Sequence, residues 1–376
     1  MLIMPKIVVL DSSTIGRVSK DYWSTEKSDR DKAHVFLERM KELGIFIAFT
    51  WTHVSEIIRH GNTQVVRDRR KFLHNLPLIA WIRPYSNHWF PGSFVDVLLR
   101  ELHAVVHASA GTFTEIVEEV RPKLWETGMG SEMFVDNDKF WSEIRFHSEL
   151  ARERDKYVAS VARTDPGQMK NVKLADVSNI PIRPREERKT YTKQFVREIQ
   201  EQIDRHGDKC FGYAREAAFD LANDAFLRTQ CYVNDEESHR ELLESLGVPP
   251  ESVSSEMTIG EIGALGVYAR QLSILANGLC PPMDLTIRDV PPDTLPSIVL
   301  DRELTEIQRK ALRVSGSDLG DSSIVPLVLY SDGVEVDKRT HEFLSQIKYD
   351  GLSLDTIMRK FFRSSDYSLI PERFER

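Results

Sequence analysis

Asp11 closes the segment KIVVLDSS, Glu56 sits in HVSEIIRHGN, and Asp318, Asp321, Asp332, Glu335 and Asp337 follow one another in SDLGDSSIVPLVLYSDGVEVD. Carboxylates gathered at one place repel, and one is pushed to a high pKa unless a cation sits among them. Oxygen donors without His or Cys partners suit Mg2+ or Mn2+, which keep several waters and take phosphate oxygens readily. Such an ion generates hydroxide near neutral pH and neutralises charge in an in-line phosphodiester displacement. The chemistry open to this set is therefore metal-dependent cleavage of nucleic acid. Each aspartate alone has a plainer use, because Asp is a favoured helix cap and turn residue. Everything depends on whether the set meets at one edge of the fold.

The elements that must position these residues can be read from periodicity. Lys6–Leu10 is a short β-branched run without alternation, as expected of a strand buried on both faces. After a loop, a helix capped by Ser28 should carry Ala33, Phe36, Leu37 and Met40 at helical spacing and stop at Gly44. IFIAFTWT, residues 45–52, reads as a second strand that turns into a helix bearing Glu56, and LPLIAWIRP, residues 76–84, as a third strand. Strand and helix in alternation predict a parallel sheet covered by helices. In such a sheet, ligands bind outside the carboxyl ends of the strands. Asp11, Glu56 and Asp337 should reach that edge, and Asp318 and Asp321, three apart at the start of a helix, share one face that could reach it too.

Residues 85 to about 290 are helical in pattern and charge-rich, with a loop-like stretch at 163–187, and suggest a helical insertion. The α/β character returns at residues 294–313, a helix, followed by SIVPLVLYS as a helix that Pro326 would bend, and GVEVD as a strand ending in Asp337. Asp332 fits a turn before Gly333, and Glu335 a solvated strand edge. LSLDTIMRKFFRSS, residues 352–365, should form an outer amphipathic helix.

In order, IVVLDSSTI, VSEIIRHG, SDLGDSSIVPLVLY and VEVDKRTHEF resemble the acid motifs of the PIN-domain family of nucleases, over roughly residues 5–84 and 295–350. The resemblance implies a PIN-like three-layer α/β/α domain with a central parallel sheet, interrupted by a large all-helical insertion. The domain would comprise residues 1–84 and 294–350, with the insertion at 85–293 and a helical tail at 351–376. It further implies Asp11 as the central metal ligand with the hydroxyl of Ser12 or Ser13 beside it, Glu56, Asp321 and Asp337 as catalytic acids, and Asp318 as an extra ligand. The implied cofactor is Mg2+ or Mn2+, and the implied substrate is RNA before DNA. A toxin or antiviral-defence setting is consistent with this. Two alternatives stay open: a PIN-like binding or scaffold protein without catalysis, and a structure-specific nuclease acting on DNA.

The chain of 376 residues carries a formal charge of −8, which argues against coating nucleic acid by bulk attraction and requires local cations. Candidates are RDRRK at 67–71, the proline-flanked segment 183–193 with Arg183, Arg185, Arg188, Lys189 and the stacking residue Tyr191, and Lys338 and Arg339 after Asp337. The expected partners are nucleic acid, an inhibitor or partner protein and a second copy of the chain, with no membrane. Cys210, Cys231 and Cys280 form no C-x-x-C pair and read as buried thiols of a reducing compartment. No apolar run is long enough to cross a bilayer, and MLIMPKIVVLD does not resemble a signal peptide, so a cytoplasmic location is expected. VDNDKFW suggests capping by Asp136 or Asn137, Glu143 and His147 suggest a surface pair, and neither a P-loop nor G-x-G-x-x-G occurs.

Overall fold

A computed structural model describes residues 5–86, 91–134, 137–161, 164–177, 185–207, 211–230, 240, 243–310, 322–347 and 357–375, and for 166, 167, 169, 177, 185–191, 223–230 and 309 the backbone only. The chain forms two compact units, one of residues 1–152, 295–308 and 320–376, the other of 153–294 and 309–319.

The first unit opens with β1 (Lys6–Val9), α1 (Ser12–Tyr22), α2 (Lys27–Glu42), β2 (Ile45–Phe49), α3 (Trp51–Ile58), α4 (Thr63–His74) and β3 (Ile79–Ile82). It continues through α5 (Phe94–His107), α6 (Phe113–Leu124), β4 (Trp125–Gly128), the single turn α7 (Gly130–Met133) and the start of α8 (Asp138–Val161). The second unit holds α9 (Leu174–Val177), α10 (Arg185–His206), α11 (Ala214–Gln230) and α12 (Ile259–Gly278). The chain then returns to the first unit with α13 (Pro296–Lys310), β5 (Gly333–Glu335), α14 (Lys338–Leu344) and β6 (Phe361–Phe362).

Among the described residues six strands form one sheet in the order β4-β3-β2-β1-β5-β6. All neighbours are parallel except β4, which runs antiparallel to β3. Because side chains alternate along a strand, each central strand feeds two cores. Val8, Leu10, Ile47, Phe49 and Ile79 pack with Ile15, Val18, Phe36, Ile57 and Phe72 from α1 to α4. Ile7, Val9, Ala48, Ala80 and Val334 pack with Val97, Val120, Leu304 and Val328 on the opposite face. Burying each larger side chain of this kind contributes roughly 1.5–3 kcal/mol. Helices thus cover both faces of a mostly parallel sheet, an arrangement compatible with three layers.

Several expectations need correction. The sheet unit does not stop at Pro84: Gly92 N donates to Ile82 O at 2.7 Å and Gly92 O accepts from Trp51 N at 3.1 Å, folding the chain back over the strand ends. A Cβ at Gly92 would stand 2.6 Å from Ile82 Cγ2, so only glycine permits this approach. β4 then pairs with β3, from Ile82↔Trp125 to Ile79↔Gly128. Residues 94–152 therefore belong with the sheet. At the other end, Phe361–Phe362 is a strand beside β5 and not part of an outer helix, because the two adjacent rings enter opposite cores.

α1 begins directly at Ser12 where a loop was expected, and α2 begins at Lys27, before Ser28, with Glu26 at its cap position. The buried face Ala33, Phe36, Leu37, Met40 and the positive φ of 63° at Gly44 are as the pattern suggests. SIVPLVLYS is not a full α-helix: its middle, Val325–Leu329, is a 3-10 turn with Pro326 in its first positions. There the missing N–H costs nothing, which accounts for the proline.

In the second unit α10 and α11 pack through Ile199, Ile203, Ala217, Ala218 and Ala222. The expected loop at 183–193 is helical from Arg185 onward. Cys280 is exposed, contrary to the reading of buried thiols, while Cys210 and Cys231 lie outside the described residues. Among the described residues no helix is long and apolar enough to cross a membrane.

Candidate functional site

Asp11 follows β1 and caps α1, its Oδ1 accepting from Ser13 N at 2.7 Å. Asp337 follows β5 and caps α14 in the same manner, Oδ1 accepting from Thr340 N at 2.6 Å. β1 and β5 are adjacent and parallel, with Val9 opposite Val334. Continuing that register sets Asp11 opposite Val336 and Asp337 one residue farther on, on strands about 4.8 Å apart. Each aspartate thus spends one carboxylate oxygen on its cap and keeps a second. Asp11 is half-buried and Asp337 exposed.

α3 follows β2 at the same end of the sheet and carries Glu56, which is half-buried. Thr50 caps that helix, and His53 at its third position completes a reciprocal capping pair, Nδ1 accepting from Thr50 N at 3.1 Å. The proton is then on Nε2, which donates to Leu10 O at 2.9 Å and fastens α3 to the residue before Asp11. The imidazole is fully buried, and burial pushes its pKa down to about 4, so it stays neutral. Glu56 lies one turn beyond His53 and shares its side of the helix. Thr52 Oγ1 meets Ser323 Oγ at 3.0 Å, which ties α3 to the segment that follows Asp321 in sequence.

Glu335 corrects the expectation of a solvated edge, for it is 4% exposed. β6 pairs with β5, so β5 is an interior strand, and α1 covers the face on which Glu335 lies. Its Oε2 accepts from Asp11 N at 3.2 Å and its Oε1 from Thr14 Oγ1 at 2.9 Å. Arg17 Nη2 donates to Thr14 Oγ1 at 2.7 Å. Burial pushes the Glu335 carboxyl up to about 7. The signal in the sequence is its place in GVEVD, two residues before Asp337. Recognising it requires knowing that β6 exists.

Asp332 stands at the opposite end of the strands, accepting from Ile7 N at 2.8 Å and from Arg121 Nη2 at 2.9 Å. It joins β1, β5 and α6 and takes no part in the site.

The remaining candidates divide sharply. Asp318, Asp321 and Arg183 lie outside the described residues. Arg185, Arg188 and Lys189 fall in the first turns of α10, and their side chains are likewise outside the description. Lys338 is exposed beside Asp337, 3.8 Å from Glu342, and the Arg339 guanidinium lies 5.4 Å from the Phe343 ring centre. Ser13 serves α1 through its backbone, and Ser12 Oγ is buried with no partner among the described residues.

Of RDRRK, Arg69 donates to Ile57 O at 2.9 Å, and Arg70 pairs with Asp138 at 2.8 Å. Those two cations brace the fold, and the exposed Arg67 and Lys71 are the ones turned to solvent. Asn137 Oδ1 caps α8 through Lys139 N at 2.9 Å, and Glu143 and His147 are both exposed on that helix.

Among the described residues, no three His, Cys, Asp or Glu side chains stand together as a group able to hold a metal. What the edge offers is two aspartates at adjacent strand ends, a glutamate carried on a helix pinned to the first of them, and a buried glutamate beneath. No family model, no curated protein and no solved structure matches this chain.

Proposed function

We propose that the first unit is a PIN-like, divalent-metal-dependent nuclease, acting on RNA before DNA. One observation carries the reading: Asp11 and Asp337 end adjacent parallel strands at the carboxyl edge, each with one oxygen uncommitted to its cap. That edge is where an open α/β sheet binds ligands. The oxygen-only donor chemistry fits Mg2+ or Mn2+. Asp11 and Asp337 would hold the ion, with Glu56 and the acids Asp318 and Asp321 completing the set. The ion would supply an activated water and charge neutralisation at a phosphodiester.

The chain's own residues do the positioning. Glu335 and His53 grip the two sides of the single peptide group that joins Leu10 to Asp11, at Asp11 N and Leu10 O, so the first ligand is held from two directions. Lys338, exposed next to Asp337, would meet the anionic substrate. A toxin or antiviral-defence role is the setting that suits such an activity.

Asn caps helices about as well as Asp, so Asp11→Asn removes charge while keeping α1 in place. Cleavage of single-stranded or structured RNA in Mg2+ or Mn2+ is expected to fall at least about 100-fold in this variant, and to stop in chelator. Undiminished cleavage in either condition would sink the proposal. A second reading, a PIN-like binding protein without catalysis, is favoured by the capping duty of both aspartates. It predicts no divalent site that Asp11→Asn removes.

A further inference from the structure

The second unit contains a cavity of about 450 Å³ walled by three aromatic rings, Tyr157 of α8 and Phe211 and Tyr213 at the approach to α11. Tyr157 and Phe211 have ring centres 6.0 Å apart at 72°, and Phe211 and Tyr213 lie 6.2 Å apart at 70°. Tyr157 and Phe211 pack on the α10–α11 core, whereas Tyr213 is 63% exposed at the mouth. The same cavity is lined by Glu153, Glu216 and Asp220 and, among the described residues, by no basic side chain.

Glu153 bonds Lys156 at 2.7 Å, but Glu216 and Asp220 form no ion pair among the described residues. They stand four apart on α11, a spacing at which like charges oppose each other. Lys193 and Arg215 line a neighbouring cavity that shares Glu216 and Asp220, together with Phe219.

Aromatic faces attract a desolvated cation, and carboxylates at the rim select its charge. A neutral apolar guest would gain nothing from Glu216 and Asp220, and an anion would be repelled. We infer that this cavity binds an organic cation, a guanidinium or alkylammonium group, presented either by an arginine or lysine of a partner protein or by a free polyamine. The inference is independent of the metal chemistry of the first unit.

The test is calorimetric titration of the full chain with N-acetylarginine amide, with spermidine and with N-acetylcitrulline amide, the neutral counterpart of the first. Saturable binding of at least one cation is expected with Kd below about 1 mM. The citrulline compound should bind at least tenfold more weakly. The Glu216→Gln/Asp220→Asn double variant and Tyr213→Leu should each weaken cation binding about tenfold, and all three positions are exposed, so the core is untouched. A preference for the arginine compound assigns the site to a protein side chain, and a preference for spermidine to a free polyamine. Absence of saturable binding by about 1 mM, equal binding of the neutral compound, or undiminished binding in both variants overturns the inference.

Discussion

At the residue scale, His53 ties helix capping to strand position, and its neutrality sets a pH dependence. An unfolded histidine titrates near 6.5, whereas burial lowers the folded value to about 4. Between those values the unfolded chain binds more protons than the folded one, so stability falls as pH drops from about 6.5 toward 4 and is fully present above that window. Three carboxylates act in the opposite sense, Glu335, Glu101 and Asp301, the last raised by burial to about 6. Burial raises both Glu335 and Glu101 to about 7, so their contributions are fully present below about 4.5 and are lost as pH rises toward 7. Glu101 accepts from Tyr330 Oη at 2.5 Å and Ser297 N at 3.2 Å, on the face of the sheet away from Glu335. The His53 component must therefore be isolated by difference. His53→Gln keeps an acceptor for Thr50 N and a donor for Leu10 O, since Gln completes the same capping pair, but does not titrate. Denaturant melts at pH 7 and pH 4 should show a smaller loss in the variant, by up to about 3 kcal/mol. An identical pH slope in both proteins would show that His53 is not buried neutral.

At the scale of elements, the site is a set of strand ends where helices begin. Asp337 illustrates how one residue serves both purposes, and substitution separates them. Asp337→Ala removes the bond to Thr340 N and should cost about 1 kcal/mol of stability. Asp337→Asn keeps the cap and should leave stability within a few tenths of a kcal/mol, yet lose cleavage as fully as the alanine variant. Full activity in Asp337→Asn would reduce Asp337 to a cap alone. Asp11 stood out in the sequence as a carboxylate after a buried strand, but its capping of α1 did not, because a loop was expected where that helix begins. Elements with long periodic runs were legible, as in the buried face of α2 and the run IFIAF of β2. β4 and β6 were not, because WETG, at the edge of the sheet, has no β-branched apolar run and Phe361–Phe362 is only two residues long. Once β6 was missed, β5 looked like an edge, and Glu335 looked solvated.

At the scale of the molecule, residues 94–152 stay with the sheet through the Gly92 hydrogen bonds and the β3–β4 pairing, which no composition change announces. The expected boundary fell at Pro84, but the chain returns at Gly92 and stays with the sheet through Arg152. Acids dispersed over more than 300 residues of sequence can therefore act together only if the first unit folds as a whole. That dependence gives a measurement of the site that needs no substrate. An ion bound only by the folded state stabilises it by about 2.7 kcal/mol at a hundredfold excess over Kd. For a unit of this size each kcal/mol raises Tm by about 2–4 °C, so saturating Mn2+ should raise the first unit's transition by roughly 5–10 °C. The shift should vanish in Asp11→Asn and Asp337→Asn, whose caps are intact, and should persist in Glu216→Gln, which lies in the other unit. A Mn2+ shift of equal size in all four proteins would mean that the ion binds elsewhere, and no shift in the unsubstituted chain would leave the carboxyl edge to the non-catalytic reading.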